Sequence, residues 1–421
     1  MNENSHALNA AAITVKGSVF LSRDFLDLDR YLKSSRQVAV LKGESKVCFK
    51  AYGEVSLVGA TIGGNLECNN GQFINPDGFA IIADSVHVKG NVYLNNGFRA
   101  DGEVSLHEGN IGGNLECDYS QFTKSKEYAI NAYRLKVKSS VLFRKNVKII
   151  GEVRFHGASI EDMYWTGITS TREVKLNLES AKISTLFDDA NSWPEKDNLV
   201  LRGLTYDEIN EGGSLTVQDR IRWLHRQPNK PFYSQPYEQL ASMLRRMGKE
   251  EDARQVLIEK NRDRARYSQM SFSELWWHRI LGCVIGYGYR PFRALFWSFG
   301  LIALGWVIFG MGFCADVMTP TKRNFYVPIN TEPGLVLSDP PKAFILESLV
   351  YSIDLFVPII NLHVANDWEP GRNRKGLLSV SEKIKIPVSG NLMRVYTWFH
   401  IILGWFFTTF LVVGLTGLIR S

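Results

Sequence analysis

Residues 53–73, GEVSLVGATIGGNLECNNGQF, return at 102–122 as GEVSLHEGNIGGNLECDYSQF, and a degenerate third copy, GEVRFHGASI, begins at Gly151. The three starts (53, 102, 151) are 49 residues apart each time. A second phase has the same period, GNVYL at Gly90 and SSVLF at Ser139, and GSVFL at Gly17 suggests an earlier coil. Self-similarity at a fixed period means stacked units sharing one continuous core. Within a unit the apolar residues alternate: Val55 and Leu57, Leu66 and Cys68, Val86 and Val88, Val92 and Leu94. Alternation over so few residues, punctuated by Gly and Asn, predicts very short strands joined by tight turns. The expected fold of this part is a parallel β-solenoid.

Several details follow from that frame. The sequence-equivalent Cys68 and Cys117 are expected to stack as an inward ladder of core thiols. The paired glycines Gly63-Gly64 and Gly112-Gly113 lack the Lys-Ser/Thr of a phosphate loop. They are expected at corners needing positive φ. The five cysteines, with no CxxC spacing, argue against a disulfide framework or zinc site and fit a reducing compartment. The ends of the solenoid need covering, and the helical segments after Trp193 are expected to cap one of them.

Net charge, +6 over 421 residues, selects no partner. Residues 133–148, YRLKVKSSVLFRKNVK, are locally unusual. Tyr133, Leu135 and Val137 are expected inward, and Arg134, Lys136 and Lys138 outward as a row. Arg144, Lys145 and Lys148 follow. Such a cluster on a rigid scaffold fits a polyanion; it equally fits a solvated face with acids on neighbouring coils. These six residues are the candidate ligand site.

The middle of the chain changes period. Residues 214–226 have helical spacing. Residues 235–260 read as two antiparallel helices turning at Gly248, resembling one tetratricopeptide-like hairpin. A basic helix over 261–267 is expected next. Residues 271–285, with Trp276 and Trp277, read as an amphipathic helix at a membrane surface. GYG at residues 286–288 matches a potassium-filter triplet, but it precedes the first apolar segment, which argues against that role.

Residues 294–315 carry no charge, and 395–419 only His400. Both are long enough to cross a bilayer. Between them, residues 342–368 hold Glu347 and Asp354 on one helical face, then Pro358, which ends a helix. A carboxylate-bearing half-helix followed by a break is what a re-entrant pore loop requires. Glu347, Asp354, Asn361, His363 and Asp367 are the candidate pore-lining residues. The alternative is an amphipathic helix outside the membrane whose acids face water. Basic residues before the first span and Arg420 after the second favour cytoplasmic termini. MNENSHALNA is not expected to act as a signal peptide.

The expected organisation is a β-solenoid sensor at 1–198, a helical coupling domain at 199–270, a juxtamembrane helix at 271–291 and a channel domain at 292–421. The channel spans are expected at about 293–315 and 395–419. Two spans surround a pore only as an oligomer, most simply a tetramer. No nucleophile–base pair, metal spacing or cofactor loop appears, so neither catalysis nor a cofactor is expected. The competing reading is a membrane-tethered solenoid that docks a protein partner and conducts nothing.

The solenoid is similar in style to the pentapeptide-repeat helices. The repeat, the QPYEQLASMLRRMGKEEDA hairpin, GYGYRPFRAL and the tail LVYSIDLFVPI…WFHIILGWFFTTFLVVGLTGLIR together resemble a bacterial family that joins a pentapeptide-like solenoid to a two-span channel domain. The same architecture resembles the membrane effector of the Hailong anti-phage system. That resemblance implies a multi-pass channel of the bacterial inner membrane. It also implies that a single-stranded DNA oligomer, made by a companion nucleotidyltransferase, holds the channel closed. Losing the oligomer would then open the channel and depolarise the cell.

Overall fold

The computed structural model of the chain describes residues 6–22, 39–40, 49–211, 215–321, 344–381 and 384–416. The chain divides into two units, Met1–Gln269 and Met270–Ser421. The first begins as a parallel β-solenoid of about seven turns. Leu66, Val92 and Leu115 are successive partners in one ladder, so 49 residues (66 to 115) make two turns. The sequence repeat is therefore a pair of coils, and odd and even coils differ slightly. This corrects the expected cysteine ladder: Leu94 lies between Cys68 and Cys117, and all three are buried.

Inward columns of Val, Ile and Leu fill the core. One column is aromatic: Phe49, Phe73, Phe98 and Phe122 follow one another at ring-centroid distances of 5.4, 5.3 and 5.4 Å. Each buried side chain of this size contributes roughly 1.5–3 kcal/mol, which lets strands of two or three residues persist. The paired glycines do not have positive φ. They are there for close approach instead: a Cβ on Gly63 would sit 2.3 Å from Lys16 O, and one on Gly112 2.2 Å from Lys89 O.

The ladder runs past residue 198. Leu199–Val200 and Thr205–Glu211 add to the two sheets as the last turn. Its free edge would expose unpaired backbone groups, and three helices follow: α1 (Val217–Leu224), α2 (Gln235–Arg246) and α3 (Glu250–Tyr267). The Gln235 side chain accepts from Gly203 N and donates to Leu204 O, both at 2.8 Å. Gln239 donates to Tyr206 O at 2.6 Å. Arg246 donates to Asp207 O at 2.9 Å and Tyr206 O at 3.3 Å. The expected helical cap is thus built by α2 side chains pairing with the last strand. A buried ion pair between Asp188 and Arg220 fastens α1 to the solenoid. Gly248, at φ 76°, turns α2 into an antiparallel α3, with Glu238 paired to Lys260 and Arg245 to Glu250. The separate basic helix expected at 261–267 is the continuation of α3.

The second unit holds α4 (Phe272–Ile285), α5 (Arg293–Cys314), α6 (Phe344–Phe356), the short α7 (Val364–Asp367) and α8 (Gly390–Thr416). Ser271 and Glu274 form a capping box at the start of α4, and Gly286 in the left-handed region ends it. Among the described residues two helices are long and apolar enough to cross a membrane, Arg293–Cys314 and Gly390–Val413. The second starts five residues before the expected 395: Gly390 fits against Gly371 and Val317, and Met393 packs on Gly312 near the end of the first. Residues 342–343 and 417–419 of the expected segments lie outside the described residues.

α6 runs antiparallel to α5. Ser348 lies against Gly310, Tyr351 packs on Phe309 (4.8 Å) and Phe313 (6.3 Å), and Ser352 Oγ donates to Ile302 O at 2.9 Å. The far end of α6, Phe356, lies against Gly404 and Phe407 of α8. By Trp368 the chain is back against Phe313 (5.1 Å), and Trp368–Pro370 pairs with Met318–Pro320. α6 ends at Phe356, two residues before Pro358, as that proline predicts, and the chain then doubles back.

Candidate functional site

The six basic residues of 133–148 do not form one row. Arg134 sits at a left-handed corner (φ 52°), exposed, 3.5 Å from Glu108 of the preceding turn. Tyr133, expected inward, is half-buried on the outside. Its ring lies between His107 (4.9 Å) and His156 (5.2 Å), because the corner at Arg134 shifts the alternation. Arg144 is paired with Asp118 at 2.8 Å. Lys145 is on an exposed corner, and Lys148 starts a strand of the other sheet, in register with Gln121 and Arg99. Lys136 and Lys138 remain together, exposed on either side of the buried Val137.

The register puts these two lysines in a larger basic track. One outward column reads Thr14, Thr61, His87, Asn110, Lys136, Ser159, Lys182 and Thr205. Just past the two-residue strands the stack continues as Lys16, Gly63, Lys89 and Gly112 and reaches Lys138, where the pairing with the next strand slips before a column of Glu161, Ser184 and Asp207. Lysine thus alternates with glycine over the first five turns. Two strand spacings separate those lysines, about 9.6 Å. At that distance two ammonium groups in water repel by only about 0.4 kcal/mol, so the empty track costs little. At its capped end the track becomes a groove of about 750 Å³ between the strands and α2, where Lys136, Lys138, Lys182 and Arg246 face Glu161 and Asp207. Lys16, His87, Lys89, Lys182 and Arg246 join the site only through the fold. Lys89 and Lys138, 49 residues apart, carried a readable signal; Arg246 belongs to a helix and did not.

Within the cap lies a polar network joining its three helices. His225 Nε2 is 2.7 Å from Asp263 Oδ2, and Tyr237 Oη donates to the same oxygen at 2.9 Å. Arg266 is 3.3 Å from the other carboxylate oxygen. Burial pushes the Asp263 carboxyl up, but the hydrogen bonds from His225 and Tyr237, with the charges of His225 and Arg266, outweigh it and hold it below the usual range. The hydrogen bond to Asp263 raises His225 against the opposing effect of burial. With Glu259, these groups form a His/Glu/Asp cluster whose donor atoms lie within 4.8 Å of one another. Arg266 pairs with Asp263 at 3.3 Å and Arg262 with Glu259 at 3.0 Å, so each carboxylate has its own guanidinium and the cluster works as a helix-to-helix lock.

In the second unit Asp354, Asn361 and His363 lie around the turn after α6, whereas Glu347 is at the other end of that helix. The Asp354 carboxylate accepts from Leu362 N at 2.6 Å and Ala365 N at 2.8 Å, so it shapes the returning loop. Asn361 accepts from His363 N at 3.0 Å and lies 2.7 Å from its Nδ1; both residues are exposed. Glu347 and Asp367 are half-exposed, one near the start of α6 and one at the end of α7. His400, Ser352 and Gly305 meet where α5, α6 and α8 pack. His400 Nε2 is 3.2 Å from both Ser352 Oγ and Ser352 O. In the sequence His400 is simply the one residue of an apolar segment that titrates near neutral pH.

Comparison of the chain with protein-family models, with curated proteins and with solved structures finds no match.

Proposed function

We propose that this chain forms an oligomeric, ligand-gated ion channel in a bacterial inner membrane, and that an anionic ligand on the solenoid controls it. One observation carries the reading: α6 is lodged between two membrane-length apolar helices, antiparallel to the first and parallel to the second, and the chain doubles back beyond it. A short helix ending inside a bilayer leaves polar backbone that protein or pore water must satisfy. In this proposal residues 342–368 re-enter the membrane, Asp354 holds the returning loop, and Asn361, His363, Glu347 and Asp367 line the path. The oligomer is a tetramer around that path, and both termini are cytoplasmic. The α2–α3 hairpin, tetratricopeptide-like in this reading, couples the solenoid to the spans. The ligand gates because it binds closed and open states with different affinity. The Hailong-like role follows from the sequence resemblance: a DNA oligomer keeps the channel shut, and its loss depolarises an infected cell.

Ion flux from liposomes loaded with purified, nucleic-acid-free protein tests this. Wild type is expected to pass cations, and Asp354→Ala to change the rate or selectivity. Absence of flux from ligand-free wild type overturns it. The second reading, a non-conducting tether, is favoured by the two backbone hydrogen bonds of Asp354, which account for that carboxylate without a pore. It predicts no flux from either protein.

A further inference from the structure

We propose that Arg246 is the residue through which the helical cap senses a linear phosphate polymer lying along the solenoid track. The inference rests on the anionic-ligand part of the proposed function and deepens it.

Positive charge follows a path along the solenoid. Lys16, Lys89 and Lys138 follow one another past the strand ends; beyond Lys138 the register slips and the neighbouring positions turn acidic at Glu161 and Asp207. The neighbouring column carries Lys136 and then Lys182 over the same turns. A polyanion following the cations therefore crosses from the first column to the second and runs toward α2. Among the described residues none of Lys16, Lys89, Lys136, Lys138 and Lys182 has a carboxylate partner within ion-pair distance, unlike Arg134 and Arg144. Over seven strand steps the track is about 34 Å long, which suits an extended chain and not a single small anion.

The end of this path is Arg246. Its Nη2 is tied to the carbonyls of Tyr206 and Asp207, while the side chain stays exposed and forms part of the groove wall. A guanidinium has five donors in a planar fork, so one edge holds the last strand while the other is free for a phosphate oxygen. A phosphate bound there bridges α2 and the solenoid edge, and a hydrogen bond to a charged group is worth more than a neutral one. Ligand and cap docking then strengthen each other by the same factor, as linkage requires. Lys136, Lys138 and Lys182 supply most of the affinity, and Arg246 converts occupancy into cap rigidity.

The test is hydrogen exchange on the full chain in detergent, with inorganic polyphosphate as probe, alongside a binding isotherm at two salt concentrations. In wild type, saturating polyphosphate is expected to slow exchange about tenfold or more in residues 205–211 and 235–246. Arg246→Gln is expected to bind roughly tenfold more weakly, yet show no added protection when saturated. Arg246→Lys, which keeps the charge but not the fork, is expected to protect partially. Lys136→Glu/Lys138→Glu/Lys182→Glu is expected to lose binding and its salt dependence. Protection in saturated Arg246→Gln equal to wild type overturns the inference and leaves the anion site standing. No polyphosphate binding to wild type overturns the anion site itself.

Discussion

Replacing Arg220 with Met tests what fastens the cap to the solenoid. Arg220 and Asp188 make two parallel 2.8 Å hydrogen bonds, and their side chains are 2% and 3% exposed. Trp193 Nε1 also donates to Asp188 Oδ2 at 2.8 Å. The guanidinium lies 5.8 Å from the Trp193 ring and 5.9 Å from the Trp223 ring. In Arg220→Met the Asp188 carboxylate keeps the indole donor and loses its counter-charge. Stranding one partner of a buried pair costs about 3–5 kcal/mol. At 1.4 kcal/mol per decade this makes local opening roughly 100- to 4,000-fold more frequent. Amide exchange across residues 182–188 and 217–224 reads that opening directly. Replacing both residues, Asp188→Leu with Arg220→Met, removes the stranded charge and is expected to recover much of the loss. Exchange in the single variant within threefold of wild type would refute the reasoning, as would a double variant no better than the single.

The His225–Asp263 lock makes a pH prediction. The fold raises the His225 ring above its ordinary value, so its stabilisation is complete below about pH 6.5 and is lost as pH rises through the raised value. The melting advantage of wild type over His225→Gln should therefore be largest in mildly acidic buffer and shrink toward pH 9; a constant difference would contradict it. In the second unit, a Cβ on Gly305 would lie 2.4 Å from Ser352 Oγ and 2.7 Å from His400 Cε1. Gly305→Leu should force α6 away from α5 and α8, at a cost of about 1–3 kcal/mol or more, and abolish flux while α5 and α8 still insert. Wild-type flux from Gly305→Leu would contradict the packing account.

The period of the sequence was enough to read the solenoid, because the same side chains must recur wherever a coil closes. Its two-coil unit was harder to see. Leu94 and Cys68 occupy the same inward position with different residues, so only every second coil looks alike. The helix ends were legible from Gly248, Gly286 and Pro358, each of which does one local job. The extent of the solenoid was not: Thr205–Glu211 has no repeat signature and belongs to the ladder only through backbone pairing. The basic site was half legible. Counting charges along 133–148 joined residues that a solenoid distributes over different faces, and missed Lys16, Lys89 and Lys182, which are distant in sequence and stacked in space. Asp354 illustrates the same limit, because its partners are backbone N–H groups of a loop whose path the sequence does not specify.

Cysteine accessibility on the returning loop tests the channel most directly. Cys283 and Cys314 are free and exposed, so both are first changed to serine. Asn361→Cys then places a thiol at the turn beyond α6, and Leu304→Cys places one on an exposed face of α5, where Leu304 is 49% exposed. If residues 342–368 line a pore, a membrane-impermeant cationic thiol reagent will block current through Asn361→Cys and leave Leu304→Cys unaffected. Current through Asn361→Cys that survives full labelling of the thiol would contradict the account.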